Sequence, residues 1–163
     1  FEVVRSLTTE RFPTYRSEYY GEMKGNLDLV PKPVFEGIPM LTVGRARQDM
    51  SWIANQSDGW IWHLSDLRQL PSLLQDWRRA HGQEWIRPYG YGAFFDLDSD
   101  PAAPLQYVSN GMRAGRTALI ELLHYQQRLG VSHVAFNLKS SRRPAEQVMA
   151  ELAEHVLPQF PSE

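Results

Sequence analysis

Two arginines set in a glycine turn, Gly44-Arg45-Ala46-Arg47-Gln48, are the residues of this chain whose types and spacing fit a defined chemistry. A glycine lets a ligand approach the backbone closely, and a guanidinium offers a planar fork of donors. A helix expected to follow would aim backbone N–H groups into the same turn, and together these make a phosphate-binding arrangement. The competing reading is a solvated loop in which Arg45 and Arg47 pair with Asp49. A second set stands at the end of an apolar run, Trp60 to Leu64. Trp62 there offers an indole wall for a planar ligand and His63 a hydrogen bond to cofactor or substrate, whereas Trp60 reads as core. For His63 the bland alternative is an imidazole satisfied by backbone. Two further basic groups precede predicted helices: Arg113 and Arg116 in one loop, and Lys139-Ser140-Ser141-Arg142-Arg143 in another. Anions bind well at such positions, so Arg113, Arg116, Ser140 and Arg142 are candidates for a lid or substrate rim, with solvated charges as the alternative.

Other chemistries are excluded or unsupported. The chain has no cysteine, which removes disulfides, thiolate nucleophiles and thiolate-ligated metals. His63, His124, His133 and His155 lack metal-ligand spacing, and Asp96, Asp98 and Asp100 form a flexible tip rather than a cage. No nucleophile elbow, P-loop or dinucleotide fingerprint is present, and no catalytic residue is assignable from sequence. The 17 basic and 19 acidic residues are interspersed and give a net charge of −2, which argues against a nucleic-acid or anionic-membrane partner. No run approaches the roughly 18 to 20 apolar residues of a membrane span, and the expected location is cytoplasmic.

The elements that must position these residues follow from periodicity. The 163 residues, 42% hydrophobic, suffice for one domain. Phe1, Val4 and Leu7 have helical spacing with no capping residue ahead of them, so the chain reads as starting inside a helix over 1–12, as a piece of something longer would. Residues 13–37 form a tyrosine-rich excursion, with Gly21 and Gly25 as turns and Pro31 and Pro33 closing it. Strands are predicted over 38–43, 60–64, 89–97 and 133–138, and helices over 48–56, 70–81, 117–129 and 144–156. Four β/α units in succession imply a parallel sheet flanked by helices, either an open doubly wound sheet or part of a (β/α) barrel. The stretch 98–116 exceeds ordinary loops and reads as a lid or a locally helical insertion.

Three ordered segments carry a resemblance. The strand with Pro39, the arginine turn, then Ala54-Asn55-Gln56-Ser57 and Asp58-Gly59-Trp60, is similar to the alanine-rich helix and Asp-Gly-Trp stretch of the luciferase-like flavin-dependent monooxygenases. Tyr19-Tyr20-Gly21 with Val30-Pro31-Lys32-Pro33 resembles the segment those proteins carry before their fifth strand, and Gly130-Val131-Ser132-His133-Val134 their final strand. The resemblance covers nearly the whole chain. It implies a TIM-barrel fold of α/β class, present here as a C-terminal half barrel of about four β/α units after a short excursion.

The resemblance also implies FMN, or alternatively a deazaflavin, bound at the carboxyl ends of the strands by Gly44, Arg45, Ala46, Arg47, Gln48, Trp62 and His63. A small organic substrate would be oxidised with O2, and a separate NAD(P)H-dependent flavin reductase is a possible partner. The loop after the seventh barrel strand would shield the reduced ring. The N-terminal half of such a barrel lies outside this chain. The alternative expectation is therefore a catalytically inactive half barrel that self-associates as a homo-oligomer through its open sheet.

Overall fold

The computed structural model describes residues 1–35, 37–45, 47–63, 66–82, 87–109 and 111–161. The chain divides into two compact units, Phe1–Met40 and Leu41–Glu163.

The first unit begins with helix α1, Glu2–Thr9. It ends short of the expected 1–12, where the Thr8 and Thr9 hydroxyls donate back to the Arg5 carbonyl and extended backbone begins at Glu10. The excursion is an antiparallel hairpin of β1, Thr14–Ser17, and β2, Gly21–Lys24. Its turn depends on the Ser17 hydroxyl, which accepts from the Tyr19 and Tyr20 N–H groups, and on Gly21 at φ +77°. Lys32 closes the unit by donating to the carbonyls of Leu7 and Glu10 and pairing with Asp28. A cation there complements the negative end of α1.

The second unit holds the four β/α repeats: β3 (Leu41–Val43) and α2 (Met50–Gln56), β4 (Gly59–Trp62) and α3 (Leu70–His81), then β5 (Tyr89–Leu97). After β5 come β6 (Gln106–Val108), β7 (Gly111–Ala114), α4 (Arg116–Leu129), β8 (His133–Asn137) and α5 (Ala145–Glu151). Strands β3, β4, β5 and β8 pair in parallel in that order. This is the parallel β/α arrangement that the spacing predicts, in the half-barrel form that the resemblance implies.

Register separates the two faces of the sheet. Thr42 lies opposite Trp60, Trp60 opposite Tyr89, and Trp62 opposite Tyr91, so these side chains share one face. That face meets the helices. Trp60 packs 5.4 Å from Trp77 of α3, the Tyr91 hydroxyl donates to Gln126 of α4, and Trp60, Tyr89 and Tyr91 are fully buried. Val43, Ile61 and Gly90 begin the opposite face, which continues through Gly92 and Phe94 on β5 and His133, Ala135 and Asn137 on β8. No helix of this unit covers it among the described residues, and Val43 is 74% exposed.

The expected lid over 98–116 is instead a turn followed by the β6–β7 hairpin. The cause lies in β5. It runs nine residues against four in β4 and five in β8, so its last backbone groups have no partner in the main sheet. Strand β7 supplies one, pairing in parallel with Phe95–Leu97. Gly111 makes this possible, because a Cβ there would stand 2.1 Å from the Phe94 carbonyl oxygen. Two helix starts and ends also shift. Helix α2 begins at Met50, because Asp49 caps it rather than pairing with Arg45 or Arg47. The final helix is α-helical only to Glu151 and widens to a π turn over Leu152–Val156. No helix among the described residues is long and apolar enough to cross a membrane.

Candidate functional site

The glycine turn follows β3 directly. Gly44 N–H continues the ladder to the Ile61 carbonyl, and the Gly44 carbonyl accepts the Trp60 indole N–H at 2.9 Å. Gly44 stands at φ +74° and Arg47 at φ +61°, and Gln48 N–H closes the turn on the Arg45 carbonyl. Ala46 lies outside the described residues. Arg45 places its guanidinium 4.8 Å over the Trp62 ring and 5.7 Å from that of Trp60. Stacking uses the face of the guanidinium and leaves its in-plane donors available. The helix adds less than its sequence suggests, because the Asp49 carboxylate already accepts the Trp52 N–H at 2.7 Å. What the turn offers to an anion is therefore the exposed Arg45 and Arg47 side chains.

Trp62 and His63 part company. Trp62 lies on the helix-facing side of the sheet with Trp60, at 5.2 Å between ring centroids. His63 is exposed at the end of β4, and its Nδ1 meets the Gly92 carbonyl at 2.9 Å. It borders a cavity of about 700 Å³ on the uncovered face, whose floor is formed by Gly92 and Phe94 midway along β5 and by Ala135 and Asn137 of β8, the last of these ending its strand. The glycines of β5 differ in what they owe to the fold. A Cβ at Gly90 would press on the His133 carbonyl at 2.9 Å, whereas one at Gly92 would meet nothing nearer than 3.9 Å. Gly92 is bare without a packing reason, and together with Ala135 it leaves a flat patch beside Phe94. The sequence carries a signal for this in Tyr89-Gly90-Tyr91-Gly92, where every second residue is glycine and one strand face is left empty.

The other predicted residues join in an ionic network at the ends of β5, β7 and β8. Asp96, 4% exposed, accepts from Arg113 Nε at 2.8 Å, Arg142 Nε at 2.9 Å and Arg142 N–H at 3.1 Å. Burial pushes its carboxyl up, but the Arg142 backbone N–H and the two guanidinium groups outweigh this and hold it below its ordinary value. Asp98 takes a second contact from Arg142, and Glu151 of α5 binds both Arg143 and Arg116. Glu151 is likewise desolvated yet held low by those two arginines. Thus Arg113 and Arg142 tie the hairpin and the loop after β8 to the sheet, Arg116 ties α4 to α5, and Ser140 is an exposed residue ending a short 3-10 turn. Burial raises the hydroxyls of Tyr89 and Tyr91, the latter to about 12, so both stay neutral on the helix side. Among the described residues no group of three His, Asp or Glu is placed to hold a metal.

No family model matches the sequence, and no curated protein is similar to it. The structure is similar to that of an F420-dependent secondary alcohol dehydrogenase in complex with an F420-acetone adduct. The TM-score is 0.69 at 15% sequence identity, over 99% of this chain. The chain spans 60% of the length of that protein. At this identity the likeness shows the fold alone, that of part of a (β/α) barrel.

Proposed function

We propose that this chain is the cofactor-holding portion of a flavin- or deazaflavin-dependent oxidoreductase, with the ring bound over Gly92 and Ala135. The observation that carries the reading is the bare floor. It lies just past the carboxyl end of β4, on the side toward which parallel sheets take ligands, and Gly92 has no packing reason to be glycine. The residues fit the ring: Gly92 and Ala135 admit it and Phe94 borders it, while Arg45, stacked on Trp62 of the helix-facing side, would have to swing off that indole to hold a phosphate together with Arg47. When bound, such a ring exchanges a hydride with a carbon of a small organic substrate. The chain's own part is to orient the ring and keep water off one of its faces.

The resemblance to a protein solved with F420 favours a deazaflavin over FMN, and dehydrogenation over use of O2. Titration with F420 and with FMN, followed by ring fluorescence, tests the reading. Gly92→Leu should abolish binding while leaving the melting temperature unchanged, since a Cβ there meets nothing nearer than 3.9 Å and the cavity lies above it. Unaltered affinity in that variant would remove the floor from the site. A second reading has its own observation. Val43 and Leu41 are exposed on the uncovered face, and β3 and β8 each have one unpaired edge among the described residues. In isolation the chain would then be an inactive half barrel that self-associates.

A further inference from the structure

We infer that His63 sets the ligand chemistry of this cavity, its Nε2 accepting a hydrogen bond from an N–H or O–H on the edge of the bound molecule. The inference rests on the ring-binding reading above and goes further by naming what the ligand must present. Strand β4 stops at Trp62, opposite Tyr91, so the next carbonyl of β5 on that edge, that of Gly92, has no strand donor among the described residues. The His63 imidazole takes its place at 2.9 Å. A carbonyl oxygen only accepts, so Nδ1 carries the proton. In a neutral imidazole this makes Nε2 an acceptor, and the ring is held in that tautomer by the backbone itself.

Among the described residues nothing bonds to Nε2, and the ring lines the cavity. Across β5, Asn137 is fixed in a complementary sense. Its Oδ1 accepts the Lys139 N–H at 2.9 Å, which orients the amide and leaves the Nδ2 donor unused among the described residues. His63 and Asn137 thus flank the Gly92 and Ala135 floor from strands on either side of β5, two spacings of about 4.8 Å apart. A flat molecule with a donor toward His63 and an acceptor toward Asn137 satisfies both. An imide N–H on the ring, or a substrate hydroxyl held above it, would supply the donor to His63, and a carbonyl farther along the molecule the acceptor to Asn137.

Imidazole nitrogen NMR of the labelled chain tests this. The Nε2 resonance of His63 is followed through addition of riboflavin, of riboflavin methylated at its imide nitrogen, and then of 2-propanol. A shift with riboflavin that methylation abolishes supports the imide N–H as donor, and a shift only on adding the alcohol supports a substrate O–H. Riboflavin binding with an unmoved Nε2 resonance throughout overturns the inference while leaving the ring site intact. No binding of riboflavin, F420 or FMN overturns both. His63→Phe should weaken ring or alcohol binding about tenfold, the worth of one hydrogen bond, and His63→Gln should restore part of it through its amide oxygen. Equal affinity in His63→Phe and wild type would also overturn it. An unchanged melting temperature in each variant excludes a folding defect.

Discussion

At the scale of single residues, charge and its partners decide what each arginine is for. Arg142 and Arg113 read alike in the sequence as free cations near an anion site, yet both end on Asp96. Removing Asp96 leaves two guanidinium groups facing each other around a buried position. Asp96→Ala should therefore cost about 3 kcal/mol of stability. Arg142→Ala, with its side chain 56% exposed, should cost under about 1 kcal/mol. Urea denaturation of the two variants measures both. The pH dependence follows from the same contacts. Asp96 and Glu151 are held below their ordinary values in the folded chain, so their stabilisation is complete above the ordinary carboxylate range. It is lost as the pH falls through the lowered values. The acid limb of a plot of melting temperature against pH should be shallower in Asp96→Asn than in wild type. Arg45 and Arg47 keep unused donors, and replacing both with alanine should weaken FMN about tenfold more than riboflavin. Equal losses for the two ligands would remove the phosphate role.

At the scale of elements, unequal strand lengths account for the main departure from expectation. A nine-residue β5 between shorter neighbours must find partners for its last backbone groups, and the β6–β7 hairpin is the result. Sequence periodicity does not register this. Gln106–Val108 is exposed throughout and shows no alternation, and what makes it strand is the edge it meets. Gly111→Ala should consequently destabilise the chain by about 2 kcal/mol or more, through contact with Phe94 and a positive φ. Gly92→Ala should be close to neutral, because its Cβ has 3.9 Å of clearance. Thermal unfolding gives the stabilities, and hydrogen exchange at the β6–β7 amides should accelerate in the first variant alone.

At the scale of the whole molecule, the second unit is a six-stranded sheet whose four β/α strands run parallel, with its helices on one face only among the described residues. Parallel sheets are ordinarily covered on both faces, and here the second face retains Leu41 and Val43 in solvent. Light scattering over a concentration series should show association, and Val43→Lys should reduce it by placing a charge on that face. A monomer at every concentration would remove self-association from the account.

The sequence by itself determined the β/α rhythm, the helix stripes and the parallel order, because burial against one neighbour imprints a local period of two or 3.6 residues. It also showed the glycine turn with its two arginines. Only the tertiary structure decided which face each strand residue takes. Trp62 and His63 are adjacent in sequence, and alternation sends one to the helices and the other to the uncovered face. Likewise the partners of Asp96 stand 17 and 46 residues away along the chain, a separation that no local pattern encodes. The bare floor at Gly92 and Ala135 exists only because register lays two small residues side by side on neighbouring strands.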